Sequence, residues 1–426
     1  MTTDSVRAAI ARDGARTLLA RCEALAKCTD KSGEILRTFL SPAMEQVHER
    51  MRPWFEAAGM KVNADRAGNL RALYPSASGD DTVRLLIGSH LDTVPNAGAY
   101  DGVLGVLMGL ALVEGLRGRH LPYSMEVIGF SDEEGTRFGV PFIGSRAVAN
   151  CLDESLLSNK DVKGITISDA LRDYAAAHSE AADASLPPST AAYLEFHIEQ
   201  GPVLESQNLA LGIVESLASQ SRCHLAFYGF AAHAGTTPMI LRRDALAAAA
   251  EWMTRVEALA SDVEGLVATV GQISAEPGGV NVIPGVVRCS LDVRHAQDGV
   301  RSTAVKAILD EARSIAGRRG IAVEAEEYHT QPAVHLDPAM IAIAETSLRH
   351  AGYPSMRMTS GAGHDAMVIA PHLPSAMIFL RNPGGISHHP DESVLEADVA
   401  AAIHAGLCFL DEFATYLDKK GSDLRA

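Results

Sequence analysis

Val83-Arg84-Leu85-Leu86-Ile87-Gly88-Ser89-His90-Leu91-Asp92-Thr93 is the stretch that decides how this chain is read. Val83, Leu85, Leu86 and Ile87 form a short apolar run of the kind buried in a sheet covered on both faces. Sheets of that kind are mostly parallel and carry helices on either side. Two residues with ligand chemistry, His90 and Asp92, follow the run directly. Ligands of open α/β sheets collect at the carboxyl ends of the strands. The stretch therefore predicts both a fold and the edge of that fold where chemistry happens.

Outward from it, helices are predicted over 15–27 and 42–58, strands over 69–74 and 125–130, and a Gly-rich apolar helix over 102–116. This alternation predicts a mixed, mostly parallel sheet covered by helices, an α/β fold. Residues 153–190 are polar and Ala-rich and read as helix and loop, closed by Pro187-Pro188, before a strand over 192–198. From 215 the rhythm changes. It reads strand 222–230, helix 243–259, strands 266–273 and 285–294, helix 301–316 and strand 321–328. That order is β-α-β-β-α-β, an α+β unit compact by itself. The expected organisation is one α/β domain over 1–214 and 333–426, interrupted by an inserted α+β domain over 215–332. A helix over 339–351 and a strand over 376–380 complete the first domain.

Composition excludes several classes. Of 426 residues, 37 are Lys or Arg and 53 are Asp or Glu, a formal charge of −16. So acidic a chain repels phosphate backbones and anionic lipid, and neither nucleic acid nor a membrane is an expected partner. The longest apolar run, 102–113, is too short to cross a bilayer. Residues 1–13 hold no long apolar stretch, so no secretory signal is expected. Cys22, Cys28, Cys151, Cys223, Cys289 and Cys408 are scattered, with no C-x-x-C pair. Reduced thiols in a cytoplasmic protein are the expectation.

Four places set ligand-type residues just past predicted strands or at a helix start: His90 with Asp92, Asp101 before the Gly-rich helix, Glu133-Glu134 after strand 125–130, and His197 within Glu195–Gly201. The segment 385–392 adds His388 and His389. Singly, a strand-end histidine is usually structural, and adjacent acids are usually a solvated turn. Together they are the set that a two-metal hydrolase requires: two histidines, two carboxylates, an Asp able to bridge and a spare Glu. Asp92 lies close enough to His90 to fix its tautomer. No cysteine joins them, so the site suits Zn²⁺ or Mn²⁺, with Co²⁺ or Ni²⁺ also fitting. No G-x-S-x-G elbow and no phosphate-binding loop occur.

At these residues the chain resembles the dinuclear-metal peptidase and amidase superfamily that includes aminoacylases and carboxypeptidases. Within it, the chain looks most like the branch of allantoate amidohydrolases, N-carbamoyl-L-amino-acid hydrolases and β-ureidopropionases. The resemblance is carried by GSHLDTV, YDGVLGV, DEEGTRFG, EFHIEQGPVLE, AAHAGTTPM, NVIPG, LDVR, SGAGHDA and GGISHHPDES, in that order. It implies a catalytic domain interrupted by a lid and dimerisation domain, and hence a homodimer. Carried over residue by residue, it implies His90, Asp101 and His197 on one divalent ion and Asp101, Glu134 and His388 on the other. Glu133 would be the general base, moving a proton from the attacking water to the departing nitrogen. Gln200, His233, Asn281, Arg294, Gly363 and His364 match the substrate-binding positions. There Arg294 would clamp a carboxylate and His233 would stabilise an oxyanion. The implied activity is hydrolysis of a ureido or carbamoyl C–N bond in a small carboxylate. Segments 39–43 and 381–388 look more like the allantoate enzymes, and N-carbamoyl-L-amino acids are the alternative. A peptidase or other amidase of the superfamily is less favoured by AHAGTT and EFHIEQG. The segment 94–100 departs from the family, which more often has two glycines there; a changed loop shape is expected.

Overall fold

The computed structural model describes residues 3–423. The chain divides into two units. One comprises Met1–Glu215, His335–Met358 and Gly363–Ala426, the other Ser216–Val334 and Thr359–Ala362.

The first unit is built on a sheet with strands in the order Lys61–Ala64, Leu70–Tyr74, Ser124–Phe130, Arg84–His90, Thr190–Ile198, Ser375–Leu380 and Leu211–Leu217. The four strands from Ser124–Phe130 to Ser375–Leu380 run parallel. The flanking pairs are antiparallel. The sheet is thus mixed with a parallel centre, as the sequence predicts. Every residue of Arg84–His90, Ser124–Phe130 and Ser375–Leu380 is buried. That double-sided burial explains why these strands read as apolar runs rather than alternating ones.

Helix Val103–Gly115 is buried without interruption from Val103 to Val113. It lies close on the sheet through its glycines. A Cβ on Gly105 would stand 2.1 Å from the Phe196 carbonyl oxygen and 2.7 Å from Ser89 Cβ. Elements with no counterpart in the sequence reading include strands Lys61–Ala64 and Leu211–Leu217, and helix Glu396–Asp423. This last helix is buried on all sides from 398 to 410, so it carries no one-sided apolar stripe to announce it.

In the second unit, strands Ile273–Glu276, Val286–His295, Ser219–Tyr228 and Ala322–Gln331 form an antiparallel sheet. Helices Ala245–Ser261 and Asp298–Arg318 pack with it around Phe227, Trp252, Leu291, Val293 and Ile308. The strand expected over 266–273 is two shorter ones, Val267–Thr269 and Ile273–Glu276, parted around Gly271. A small ribbon pairs Ala232–His233 with Val282–Ile283. Among the described residues no helix is long and apolar enough to cross a membrane.

Gly105→Ala tests the close approach of helix and sheet. Alanine gains ~1 kcal/mol in helix propensity, but the new methyl overlaps a backbone oxygen that side-chain motion cannot move aside. The overlap is expected to win, for a net loss of ~1–2 kcal/mol. The measurement is a lower urea midpoint at unchanged m-value. An unchanged or higher midpoint would contradict the packing.

Candidate metal centre

Because the central strands are parallel, their carboxyl ends share one edge. His90 is the last residue of its strand and lies in register with Phe130, the last of the next. Beyond Phe130 the chain turns through Ser131-Asp132-Glu133-Glu134. His197 sits one residue from the end of Thr190–Ile198, and Ser375–Leu380 leads on to the segment with His388. Asp101 precedes Gly102, which caps helix Val103–Gly115 with φ 69°. Glycine is required there twice over. The backbone is left-handed, and a Cβ would lie 2.4 Å from the His90 ring.

Asp101 is the meeting point. Its Oδ1 is 3.1 Å from His197 Nε2 and 3.6 Å from His90 Nε2. Its Oδ2 is 3.3 Å from His388 Nε2, which is also 3.3 Å from Glu134 Oε1. Potential ligand atoms of His90, Asp101 and His197 fall within 4.8 Å of one another, as do those of Asp101, Glu134 and His388. His90, Glu133 and Glu134 form a third such group, so Glu133 is not held apart from the ligands. His389 instead lies near Asp391, its Nδ1 accepting from the Asp391 amide at 3.2 Å.

The ring orientations test whether this set fits a cation. His90 Nδ1 lies 3.1 Å from the Asp92 carbonyl, and His197 Nδ1 lies 2.9 Å from the Ile198 carbonyl. A carbonyl only accepts, so each neutral ring carries its proton on Nδ1 and turns the Nε2 lone pair inward. The two Nε2 atoms stand 3.4 Å apart, and buried Asp101 Oδ1 takes no hydrogen bond among the described residues. Inward lone pairs around a carboxylate oxygen repel one another until a proton or cation enters. The donor set of imidazole and carboxylate suits a divalent ion of borderline softness.

The surrounding side chains hold this arrangement. Asp92 meets His90 Nδ1 through its carbonyl rather than its carboxylate, whose Oδ1 stays 3.6 Å from Nδ1. The carboxylate instead accepts the amides of Glu133 and Glu134 at 2.9 and 3.0 Å. Gln200, at φ 58°, donates from Nε2 to Asp101 Oδ2 and Ser387 Oγ, both at 3.0 Å. Ser387 Oγ also donates to Asp101 Oδ2 at 3.0 Å. Glu392 Oε1 accepts the amides of Tyr100 and Asp101 at 2.9 and 3.0 Å. A Cβ on Gly98 would lie 2.4 Å from the Glu392 side chain, which ties the unusual 94–100 loop to this contact. Glu195 Oε2 accepts the Tyr193 hydroxyl at 3.0 Å and the Ala366 amide at 2.9 Å. Ser387, Glu392 and Glu195 are absent from the sequence reading of the site. The motifs GGISHHPDES and EFHIEQGPVLE contain all three, but nothing in their spacing indicates what they would hold.

Electrostatics follow the same geometry. Burial opposes the Asp101 anion, but the imidazoles of His197, His388 and His90 outweigh it and hold this carboxyl well below the usual range. Asp101 and Glu134 raise His388 to about 10. Burial pushes Glu133 well up, against the pull of His90 and with the help of Glu134. Asp132 is pushed up by burial and then by Asp92 and Asp365.

Other predicted residues are placed as follows. His364 is buried in the first unit with its ring centroid 4.3 Å from that of His197. Gly363 precedes it, and a Cβ there would be 2.9 Å from the Phe142 ring. His233 and Asn281 are neighbours on the exposed ribbon of the second unit, where the Ala234 amide donates to the Asn281 carbonyl at 2.8 Å. Arg294 lies on strand Val286–His295 of that unit, paired with Asp292 at 2.8 Å. The structure thus gathers His90, Asp92, Asp101, Glu133, Glu134, His197, Gln200, His364 and His388 in the first unit. His233, Asn281 and Arg294 stand in the second.

Known proteins resemble this chain over most of its length. The model of peptidase family M20/M25/M40 matches residues 86–412. Allantoate deiminase 1 of Glycine max is 36% identical, with 93% of this chain and 89% of the relative covered. The N-carbamoyl-L-amino acid amidohydrolase of Geobacillus stearothermophilus is 38% identical, with 87% and 91% covered. The crystal structure of an amidase of the hydantoinase/carbamoylase family from Burkholderia multivorans superposes with a TM-score of 0.86 at 31% identity, covering 93% of this chain and 97% of that one. The chain belongs to peptidase family M20/M25/M40, whose members bind divalent metal ions.

Proposed function

We propose that this chain is a metal-dependent amidohydrolase that cleaves a ureido C–N bond in a small carboxylate, allantoate first, releasing ammonia and CO₂. It is a hydrolase of non-peptide C–N bonds. The observation that carries the reading is the buried Asp101 carboxylate faced by three imidazoles, with Glu133 and Glu134 grouped beside His90. N-carbamoyl-L-amino acids are the second reading, favoured by the 38% identity to the Geobacillus enzyme. Both substrates present a ureido carbonyl beside a carboxylate.

His90, Asp101 and His197 would hold one divalent ion and Asp101, Glu134 and His388 a second, zinc or manganese, with cobalt or nickel also suited to these donors. Bound there, the ions supply Lewis acidity to water and to the carbonyl. Glu133, its amide pinned by Asp92, accepts a proton from the attacking water and delivers it to the departing nitrogen. Ammonia leaves, and the carbamate left behind loses CO₂. Arg294 binds the substrate carboxylate and His233 stabilises the oxyanion. Gln200, Asn281, Gly363 and His364 complete the substrate contacts. The reading extends to a cytoplasmic homodimer in which 215–332 is the lid and dimerisation domain and 1–214 with 333–426 is the catalytic domain.

The test is ammonia release from a panel of ureido acids, using protein reconstituted with Mn²⁺ or Zn²⁺. Allantoate is expected to turn over fastest; faster turnover of dipeptides would overturn the reading. Glu133→Gln is expected to keep its metal and lose at least ~10²-fold in kcat, as for a general base. A near-normal rate would remove Glu133 from that role. Asp101→Asn is expected to emerge from desalting with little bound metal by elemental analysis. Full metal content in that variant would contradict a bridging carboxylate.

A further inference from the structure

Within the second unit, Arg294 and Asp292 line a cavity of about 460 Å³ together with Thr269, His295 and Thr359. A guanidinium carries five N–H donors in one plane. Arg294 Nε donates to Asp292 Oδ1 at 2.8 Å and Nη2 to Asp292 Oδ2 at 3.1 Å, so one edge of the fork is fully used. Nη1 donates to the Gly361 carbonyl at 2.6 Å. One N–H on each Nη is left over.

Asp292 is itself held. Its Oδ2 accepts from Gln220 Nε2 at 2.7 Å and from Arg222 Nε at 3.0 Å. Strand register produces the cluster: Asp292 faces Arg222, and Arg294 faces Gln220, across the paired strands. Two guanidinium groups share one carboxylate, which leaves the cluster one positive charge in excess. Asp292 therefore does not neutralise Arg294. It consumes one edge, stops the long side chain from sweeping its rotamers, and leaves two donors and a net charge for an anion.

We propose that Asp292 is a positioning residue that grips one edge of Arg294 so that the remaining N–H pair meets the substrate carboxylate, setting the preference for acids over their neutral analogues. The proposal rests on the reading of Arg294 as the carboxylate anchor.

The experiment compares Asp292→Asn, Asp292→Glu and Arg294→Met in metal-loaded enzyme, using the best ureido acid of the panel and its carboxamide. Thermal melts confirm folding, and the longer carboxylate of Asp292→Glu provides the test if Asp292→Asn does not fold. Asp292→Asn is expected to raise KM for the acid ~10-fold with kcat within ~3-fold, and to leave the carboxamide unchanged, because one charge-assisted grip is lost before chemistry. Asp292→Glu is expected to show the same selectivity, since its displaced carboxylate misplaces the fork. Equal losses for acid and carboxamide, or no change in either, would overturn the positioning role if the loss in Arg294→Met falls on the acid and spares the carboxamide. If Arg294→Met weakens acid and carboxamide alike, or neither, the anchor reading fails first.

Discussion

Taking a carboxylate out of water and facing it with three imidazoles is favourable only when the protons are distributed correctly or a cation enters. Asp101 is in that position. Main-chain carbonyls bind the Nδ1 protons of His90 and His197, which leaves both Nε2 atoms pointing at the same oxygen. The neighbours add to the strain, since Asp92, Asp132, Glu133, Glu195 and Asp365 are all buried close by. So much acid in a dry place needs compensating positive charge, and a divalent ion supplies it with directional bonds. The strongest hydrogen-bonding groups nearby are spent on holding backbone: Asp92 on the 133–134 turn, and Glu392 on the amides of Tyr100 and Asp101. Elements far apart in sequence are fixed before any ligand arrives, the preorganisation that metal ligation and catalysis both require.

The parallel centre of the sheet makes this convergence possible. Parallel strands end on the same edge, so a ligand placed at the end of each arrives beside the others without long loops. His90, the turn after Phe130, and His197 come from three adjacent strands, and the fourth leads to His388. Helix Val103–Gly115 brings Asp101 in from above through Gly102, the one residue type that permits both the left-handed turn and contact with the His90 ring.

Much of this was legible in the sequence, for physical reasons that also mark where legibility ends. The run 83–87 announced a doubly covered strand because burial on both faces leaves no alternation. The histidine just beyond it is the last strand residue, so the ligand and the end of the strand are one event. Helix Glu396–Asp423 escaped notice because residues 398–410 are buried all round and lack a 3.6-residue stripe. Strand Lys61–Ala64 is four residues long at a sheet edge, too short for a period to register. Glu392 lies 291 residues from Asp101, and no local pattern can report a bond across that separation. Sequence places Asp92 near His90 but does not show which of its oxygens faces the ring, and in the structure it is the backbone carbonyl.

On the proposed reading, chemistry and selectivity fall to different kinds of residue. The ligand-type residues and Glu133 would meet only what all ureido acids share, a carbonyl carbon between two nitrogens, and Arg294 would meet the second common feature, the carboxylate. Allantoate and an N-carbamoyl amino acid differ in what else the α-carbon bears: a second ureido group in one, a side chain in the other. A second ureido group brings donors and acceptors that must be met or left unpaired, and unpaired groups discriminate far more strongly than a missing methylene. Relatives named for both activities match this chain at 36% and 38% identity. The choice between substrates therefore falls to the few polar groups that surround the carbon beside the carboxylate.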